Sequence, residues 1–547
     1  MFGGARVIIR RRDLLRTTAV GGVSLALGSV LGATVAGRER NAMLLAPTRI
    51  TDARLDRARL VARDILGVDE SGANLRTRYG HLLYGGGPEP TAQPLDIAVV
   101  GAGVAGLASA WVLAQAGHRV VVLEGSDRIG GRIRTLRDEF ARTGGHAEAG
   151  AMRIPTTHAL TIGMLRRLQL PTRPFLLGHP ERMVQAGGRL STRAEYDRDP
   201  ATIAAVFGLD AVPGRALLDD ALTAARIDAG SDVEDWARFL ARYDELSLRD
   251  WLTARGLTDN QIDYVGSTEG LTARMGLSLT HNMMTATYLK PGTELVELVD
   301  GTDRLTSELG FAAVAAGVDL RTGAEVTAID GGDARVRVTH GPDAAVLEAD
   351  RVVVTAPFSL LRHLTFRPHL SYGKQRAIAE LHHDAATKTF LEFSTRWWEG
   401  HGGVDVTDTA PRVTVYPSHP VGDGGVVIAS YTWSDDARAW DALTPQHRAA
   451  ECLDHLVERY GDQVRAAWTG GYASHSWAQD RWAGGEAAVY LPGQAVEIGP
   501  DTRTPEMDGR VVFAGDGTST RGRAWIEGAL ESAARACADL GVTVRQT

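Results

Sequence analysis

The chain has 547 residues and a formal net charge of −8. The length suits one large α/β enzyme of interleaved lobes, and an acidic balance with no basic, aromatic-laced stripe argues against nucleic acid as a partner. Its two cysteines, Cys452 and Cys537, lie in Ala- and Leu-rich helical patterns, which favours buried free thiols over a disulfide.

The first predicted element is an address. Arg10-Arg11-Arg12-Asp13-Leu14-Leu15-Arg16 precedes an uncharged stretch rich in Gly, Ala, Val and Leu that ends in small residues before Gly37. This reads as a signal peptide over 1–36, and the paired arginines resemble a twin-arginine signal, the route for proteins exported folded. An uncleaved membrane anchor is the alternative, but the glycines make the stretch weakly hydrophobic, and no later run is apolar enough to span a bilayer. Residues 37–94 then carry a helical pattern around Leu55 to Ile65 and the linker-like Gly85-Gly86-Gly87-Pro88-Glu89-Pro90.

The next stretch organises the chain. Ile97 to Val100 is an apolar run that stops at Gly101, Gly103 and Gly106; a small-residue helix pattern follows to Ala116, and Val120 to Leu123 lead into Glu124. Strand, Gly-rich turn, helix, strand and acid make the dinucleotide-binding arrangement. Gly101 permits the turn, Gly103 lets a pyrophosphate approach, Gly106 lets helix and strand close up, and Glu124 can accept ribose hydroxyls. Gly130-Gly131-Arg132 follows at once. Together these motifs resemble the flavin amine oxidase superfamily, and the resemblance implies FAD with Gly131 and Arg132 at its pyrophosphate.

Glu148-Ala149-Gly150-Ala151-Met152-Arg153-Ile154-Pro155 resembles the L-amino-acid oxidase branch of that family. The resemblance places Gly150, Ala151, Met152 and Arg153 against the cofactor. An arginine fork at Arg153 also suits the α-carboxylate of an amino acid; alone, an Arg-x-Pro reads as a surface residue before a helix. Helical patterns at Thr156 to Leu170, Ala216 to Ala229 and Asp235 to Leu257 suggest an inserted lobe. Arg274 and His281, seven apart, would share a helix face. By itself that is a solvated arginine and a satisfied histidine. The segment from Ser267 resembles L-glutamate oxidases of actinomycetes, which implies Arg274 at a side-chain carboxylate and His281 in the same pocket.

Strand patterns at Val318 to Leu320, Glu325 to Ile329, Arg335 to His340 and Arg351 to Thr355 match the family's return to the FAD domain, with Val326 at the adenine. Lys388 lies in the alternating strand Ala385 to Phe393, where a lone lysine is usually an edge residue or a snorkelling stem; the resemblance makes it catalytic, water-bridged to flavin N5. Val413 to Pro420 and Gly424 to Asp436 pair as a hairpin that puts Tyr431 and Trp433 on one face. The family gives the Tyr431 hydroxyl to the α-carboxylate and makes Trp433 a pocket wall; two core aromatics is the alternative.

Gly509 to Leu540 is a strand, a Gly-rich turn and an Ala-rich helix. The resemblance places Gly515 and Asp516 at the ribityl–pyrophosphate region, Trp525 against the substrate, and the helix start at Ile526 near flavin O2. Asp516 stands where glutamate is common and Ala524 where many relatives have glycine. The absence of cysteine from 509 to 536 disfavours a covalent flavin, and no metal site is read.

The expected fold is α/β: a Rossmann-like FAD domain (95–152, 295–365, 505–547) interleaved with a helical lobe (153–294) and a mixed-sheet substrate domain (366–504). The expected function is a secreted FAD-dependent oxidase that turns an L-amino acid, L-glutamate favoured, and O2 into a 2-oxo acid, ammonia and hydrogen peroxide. A broad or apolar-preferring oxidase, an amino-acid 2-monooxygenase and an inactive secreted flavoprotein stay open, and the family's habit makes a homodimer an expectation.

Overall fold

The computed structural model describes residues 50–545 apart from 141–144, 290–291, 333, 400–402 and 418–422. The signal assigned to 1–36 lies outside the described residues, as do residues 418–420 of the proposed hairpin.

The apolar run at Ile97 becomes the central strand Asp96–Val100. It pairs in parallel with Arg119–Leu123 on one side and Arg351–Val354 on the other, and Asp319–Arg321 and Val511–Phe513 complete a five-stranded parallel sheet. Such strands are covered on both faces and need continuous apolar sequence, which these segments supply. The helix Val104–Gln115 is built from small and apolar residues, so it can be buried on nearly every side between this sheet and the helices Asp303–Ala315 and Ile526–Asp539. A Cβ on Gly106 would lie 1.9 Å from the Gly101 carbonyl oxygen, so only glycine lets the helix begin this close to the turn.

A second, four-stranded sheet runs in the order Ala345–Ala349, Val336–His340, Val326–Asp330, Thr365–Arg367. The substrate side is a seven-stranded mixed sheet in the order Trp468–Ser476, Ala386–Phe393, Gly425–Trp433, Val413–Val415, Val404–Thr407, Met183–Ala186, Arg189–Thr192. Its last two strands come from the 153–294 segment, which is therefore not wholly helical.

Two expectations about helices change. The pattern from Asp235 to Leu257 is two helices, Val233–Tyr243 and Leu248–Ala254. They break at Asp244, whose buried carboxylate accepts the Thr280 hydroxyl at 2.9 Å and the Val496 N–H at 2.9 Å. Arg274 and His281 do not share a helix face: Arg274 ends the 3-10 turn Thr272–Arg274, and Ser278 caps a new helix, Leu279–Tyr288.

The N-terminal extension is integral. Helix Asp52–Leu66, capped by Thr51 and ended by Gly67, packs on Val233–Tyr243. It ties down through Asp64–Arg503 and Arg57–Asp501, each 2.7 Å. The linker-like 85–90 stretch bonds to the C-terminal tail: Glu89 N–H to the Thr543 carbonyl at 2.8 Å and Arg545 N–H to that of Gly87 at 3.1 Å. Both cysteines are buried free thiols. Among the described residues no helix is long and apolar enough to cross a membrane, and no acidic, His or Cys cluster could hold a metal.

Candidate active site

One elongated cavity of about 760 Å³ runs from the Gly-rich turn to the substrate sheet. Gly101, Gly103, Gly131 and Arg132 line it together with Glu124, Val326, Gly515 and Asp516. Gly103 and Gly131 leave the wall free of side chains where a phosphate would press on the backbone, and nothing lies within 4 Å of where a Gly103 Cβ would stand. Glu124 is fixed at the wall: Oε2 accepts the Ala102 N–H at 2.7 Å, and Oε1 accepts the Ser126 N–H and hydroxyl at 2.9 and 2.8 Å. Gly106 stays in the helix core and does not line the cavity.

Arg132 and Asp516 form a two-pronged ion pair, and Arg132 Nη1 also donates to the Glu486 carbonyl at 3.2 Å. Burial alone would push the Asp516 carboxyl up; the Arg132 guanidinium reverses this and holds it below the ordinary range. At the far end Trp525 caps helix Ile526–Asp539 without a side-chain hydrogen bond, so first-turn N–H groups without a side-chain cap meet the cavity beside Trp525 and Ile526. A Cβ-free phosphate cradle, an oriented acid and a helix N-terminus at the opposite end match the three polar parts of FAD.

The Glu148-to-Pro155 segment forms the floor between the two ends. A Cβ on Gly150 would stand 1.9 Å from the Arg132 carbonyl oxygen, so this glycine lets the two motifs touch. Gly150, Ala151, Met152 and Arg153 all line the cavity. Arg153 is half-buried, burial pushes its guanidinium pKa down, and its Nε has no acceptor.

Aromatic walls define the substrate end. Tyr431 and Trp433 lie side by side with rings 4.0 Å apart, Arg274 sits over the Trp433 ring at 4.6 Å, and Trp525 meets His158 edge-on at 5.1 Å. Arg274 and His281 come together here after all, from their separate elements. His281 is neutral: burial, then Arg274 and Arg523, push its pKa down to about 3.

Lys388 is buried beside the cavity. It does not line the cavity. Its ammonium donates to the carbonyls of Glu148 and Gly150 at 2.9 and 2.7 Å, with Met152 Sδ at 3.7 Å, and lies 4.6 Å from the centre of the Tyr431 ring. The strand pairing explains this. Lys388 is opposite Tyr431, so the two side chains leave the same face of the sheet, and the lysine extends past the tyrosine ring to the carbonyls of the Glu148-to-Pro155 segment. Burial pushes its pKa down to about 7, and Glu486 and Glu148 draw it back up.

Several site residues carry no motif and escape a sequence reading. Glu486 lines the substrate end, where it accepts the Tyr431 hydroxyl and, at 3.3 Å, Arg274 Nη2; buried Asp384 lies 3.7 Å from the same nitrogen. The acid directly after Gly484-Gly485 was the available signal. His158 and Trp477 line the cavity, and the Trp477 Nε1 donates to the Ala149 carbonyl at 2.8 Å. Trp482 packs on Gly125 beside Glu124, and its neighbour Arg481 pairs with Glu325 at 2.6 Å.

A model of the family described as flavin containing amine oxidoreductase matches residues 104–541. The chain is 34% identical to an L-glutamate oxidase precursor of Streptomyces viridosporus, over 91% of this chain and 94% of that protein. It is 30% identical to an L-amino-acid oxidase of Siganus canaliculatus, over 81% and 85%. Two solved structures share the fold at 21% identity and a TM-score of 0.66: a cyclohexylamine oxidase from Brevibacterium oxydans and a putrescine oxidase bound to putrescine, covering 82% of this chain and 98% and 99% of theirs. The family match over most of the chain and the relatives of similar length place the chain among the flavin-containing amine oxidoreductases, as an FAD-dependent oxidase.

Proposed function

We propose that the protein oxidises an L-α-amino acid, with L-glutamate favoured, to the 2-oxo acid and ammonia with release of hydrogen peroxide. The observation that carries the amino-acid reading is Arg153: a guanidinium without an acceptor at Nε, at the aromatic end of the cavity. A half-buried guanidinium whose enclosed Nε has no acceptor calls for an anionic partner, and a carboxylate matches its fork. Putrescine-like amines have no carboxylate to offer it. Tyr431 is the second proposed α-carboxylate donor, and Trp433 and Trp525 are proposed to fix the substrate plane.

FAD, when bound, supplies the hydride acceptor, and its reoxidation by O2 yields peroxide. Gly103, Glu124, Arg132, Asp516 and the Ile526 helix start would hold it. Arg153 and Tyr431 would orient the Cα–H bond, and the aromatic walls would exclude water. The positive charges of Arg153 and Arg274 at this end of the cavity favour the neutral form of a substrate amine. Activity should rise with pH through that deprotonation. Lys388 would act by holding the Glu148–Gly150 floor rather than by touching substrate.

Arg274 supports L-glutamate, because it brings a second cation into the pocket with its Nε unpaired. One observation favours a broader oxidase: Arg274 already has Glu486 and Asp384 as neighbours. Peroxide release from FAD-loaded protein with each common L-amino acid, putrescine and tyramine decides between these readings. A sharp L-glutamate preference that Arg274→Ala abolishes supports the first; equal turnover of Leu, Phe and Met supports the second. Intact amino-acid turnover in Arg153→Ala would overturn both. Export is proposed from Arg10–Arg12 and the stretch behind them, and the Streptomyces relative is likewise described as a precursor. The N-terminus of the secreted form tests it.

A further inference from the structure

Glu486 projects into the substrate end of the cavity, yet the proposed reaction does not use it. One of its oxygens accepts the Tyr431 hydroxyl and the other accepts Arg274 Nη2. These are the two groups assigned above to the two carboxylates of a glutamate substrate. A single protein carboxylate therefore engages both. Its backbone is fixed from the opposite side, where the Glu486 carbonyl takes Arg132 and the strand Ala487–Val489 begins. The Glu486 side chain remains about one-fifth exposed, at 21%.

A phenol has one proton to donate. Burial, with Glu486 adding to it, pushes the Tyr431 pKa far up, so the hydroxyl stays a donor. It serves Glu486 or a substrate carboxylate, not both at once. Two carboxylates with no proton or cation between them repel each other. The charged groups facing Glu486 are Arg274 from the Thr272–Arg274 turn, Asp384 behind Arg274, Arg132 on its backbone side, and Lys388 and Arg153 through space.

We infer that Glu486 is an internal stand-in for a substrate carboxylate, which competes with substrate for Tyr431 and Arg274 and so sets affinity and side-chain preference. This rests on the reading of Arg153 and Tyr431 as the α-carboxylate clamp. An incoming α-carboxylate displaces Glu486 from Tyr431 and takes Arg153 as compensation. A dicarboxylic substrate must also displace it from Arg274, so Glu486 opposes acidic side chains more than neutral ones.

The test uses full-length FAD-loaded wild type, Glu486→Gln and Glu486→Ala. Glutarate, a dicarboxylate with no amine to oxidise, is titrated through the change in flavin absorbance, and the KM for L-glutamate and L-leucine is measured alongside. Removing a charge-assisted competitor should tighten glutarate by about tenfold in Glu486→Gln, lower the KM for L-glutamate similarly and lower that for L-leucine less. If Glu486 merely holds Arg274 in place, glutarate weakens in both variants, and the inference is overturned. Unchanged affinity overturns it as well. Should Glu486→Ala fail to fold, the near-isosteric Gln variant carries the test. A wild type that oxidises leucine but not glutamate would sink the L-glutamate reading alone, while the glutarate comparison would still decide the role of Glu486.

Discussion

Arg153 has the simplest expected phenotype in the site. Lysine keeps the charge but loses the planar fork, so Arg153→Lys should raise KM for every amino acid together, by roughly ten- to a hundredfold. An effect confined to one side-chain class would argue against an α-carboxylate role. Ala524 also gives a prediction. It lines the cavity just before Trp525 with φ at 66°, in the left-handed region that a Cβ disfavours. Ala524→Gly should therefore stabilise the FAD-loaded protein by about 1 kcal/mol in thermal melting. His281 bears on pH. Its pKa of about 3 keeps it neutral from pH 5 to 8, so the KM for L-glutamate should show no inflection near 6.5 that His281→Gln removes.

Two short elements brace the cavity from outside. Helix Asp52–Leu66 reaches the FAD-closing loop through Asp64, which pairs with Arg503 and accepts the Thr520 N–H at 2.7 Å. Removing one partner of a buried ion pair leaves the other uncompensated, so Asp64→Ala should cost about 3 kcal/mol by denaturant unfolding. An effect below about 1 kcal/mol would return this helix to a passive extension. The turn bearing Arg481 and Trp482 closes over the site beside Gly125 and Glu325. Trp482→Ala should speed FAD release, read as growth of free-flavin fluorescence on dilution, whereas Trp482→Phe should release FAD as slowly as wild type.

At the scale of the whole molecule, the helix behind the cofactor holds a pH-dependent element. Burial, with Asp64 adding to it, pushes the Glu531 pKa up to about 8 from an ordinary 4.5. A raised folded-state pKa means the protonated form favours the fold: that stability is complete below about pH 4.5 and is lost as pH rises through 8. Glu531→Gln mimics the protonated form. Its melting temperature should match wild type near pH 4.5 and exceed it by a growing margin toward pH 9; a constant difference across that range would contradict the assignment.

The sequence by itself determined the parallel βαβ core, the cofactor class and part of the cavity wall. Those features are local or carried by contiguous motifs. The apolar run Ile97–Val100, the three glycines and Glu124 each do their work within a few residues of their chain neighbours. Arg153, Tyr431 and Trp525 were legible because family motifs surround them. Only the tertiary structure decided which side chains meet. Glu486, Asp384 and Arg274 come from three separate segments, and Trp482 reaches Gly125 across the fold. Lys388 shows the limit most plainly: its strand could be read, but its burial and its bonds to the Glu148 and Gly150 carbonyls come from a segment more than 230 residues away in sequence. A site of this kind is made by contacts between distant segments, and no local pattern records them.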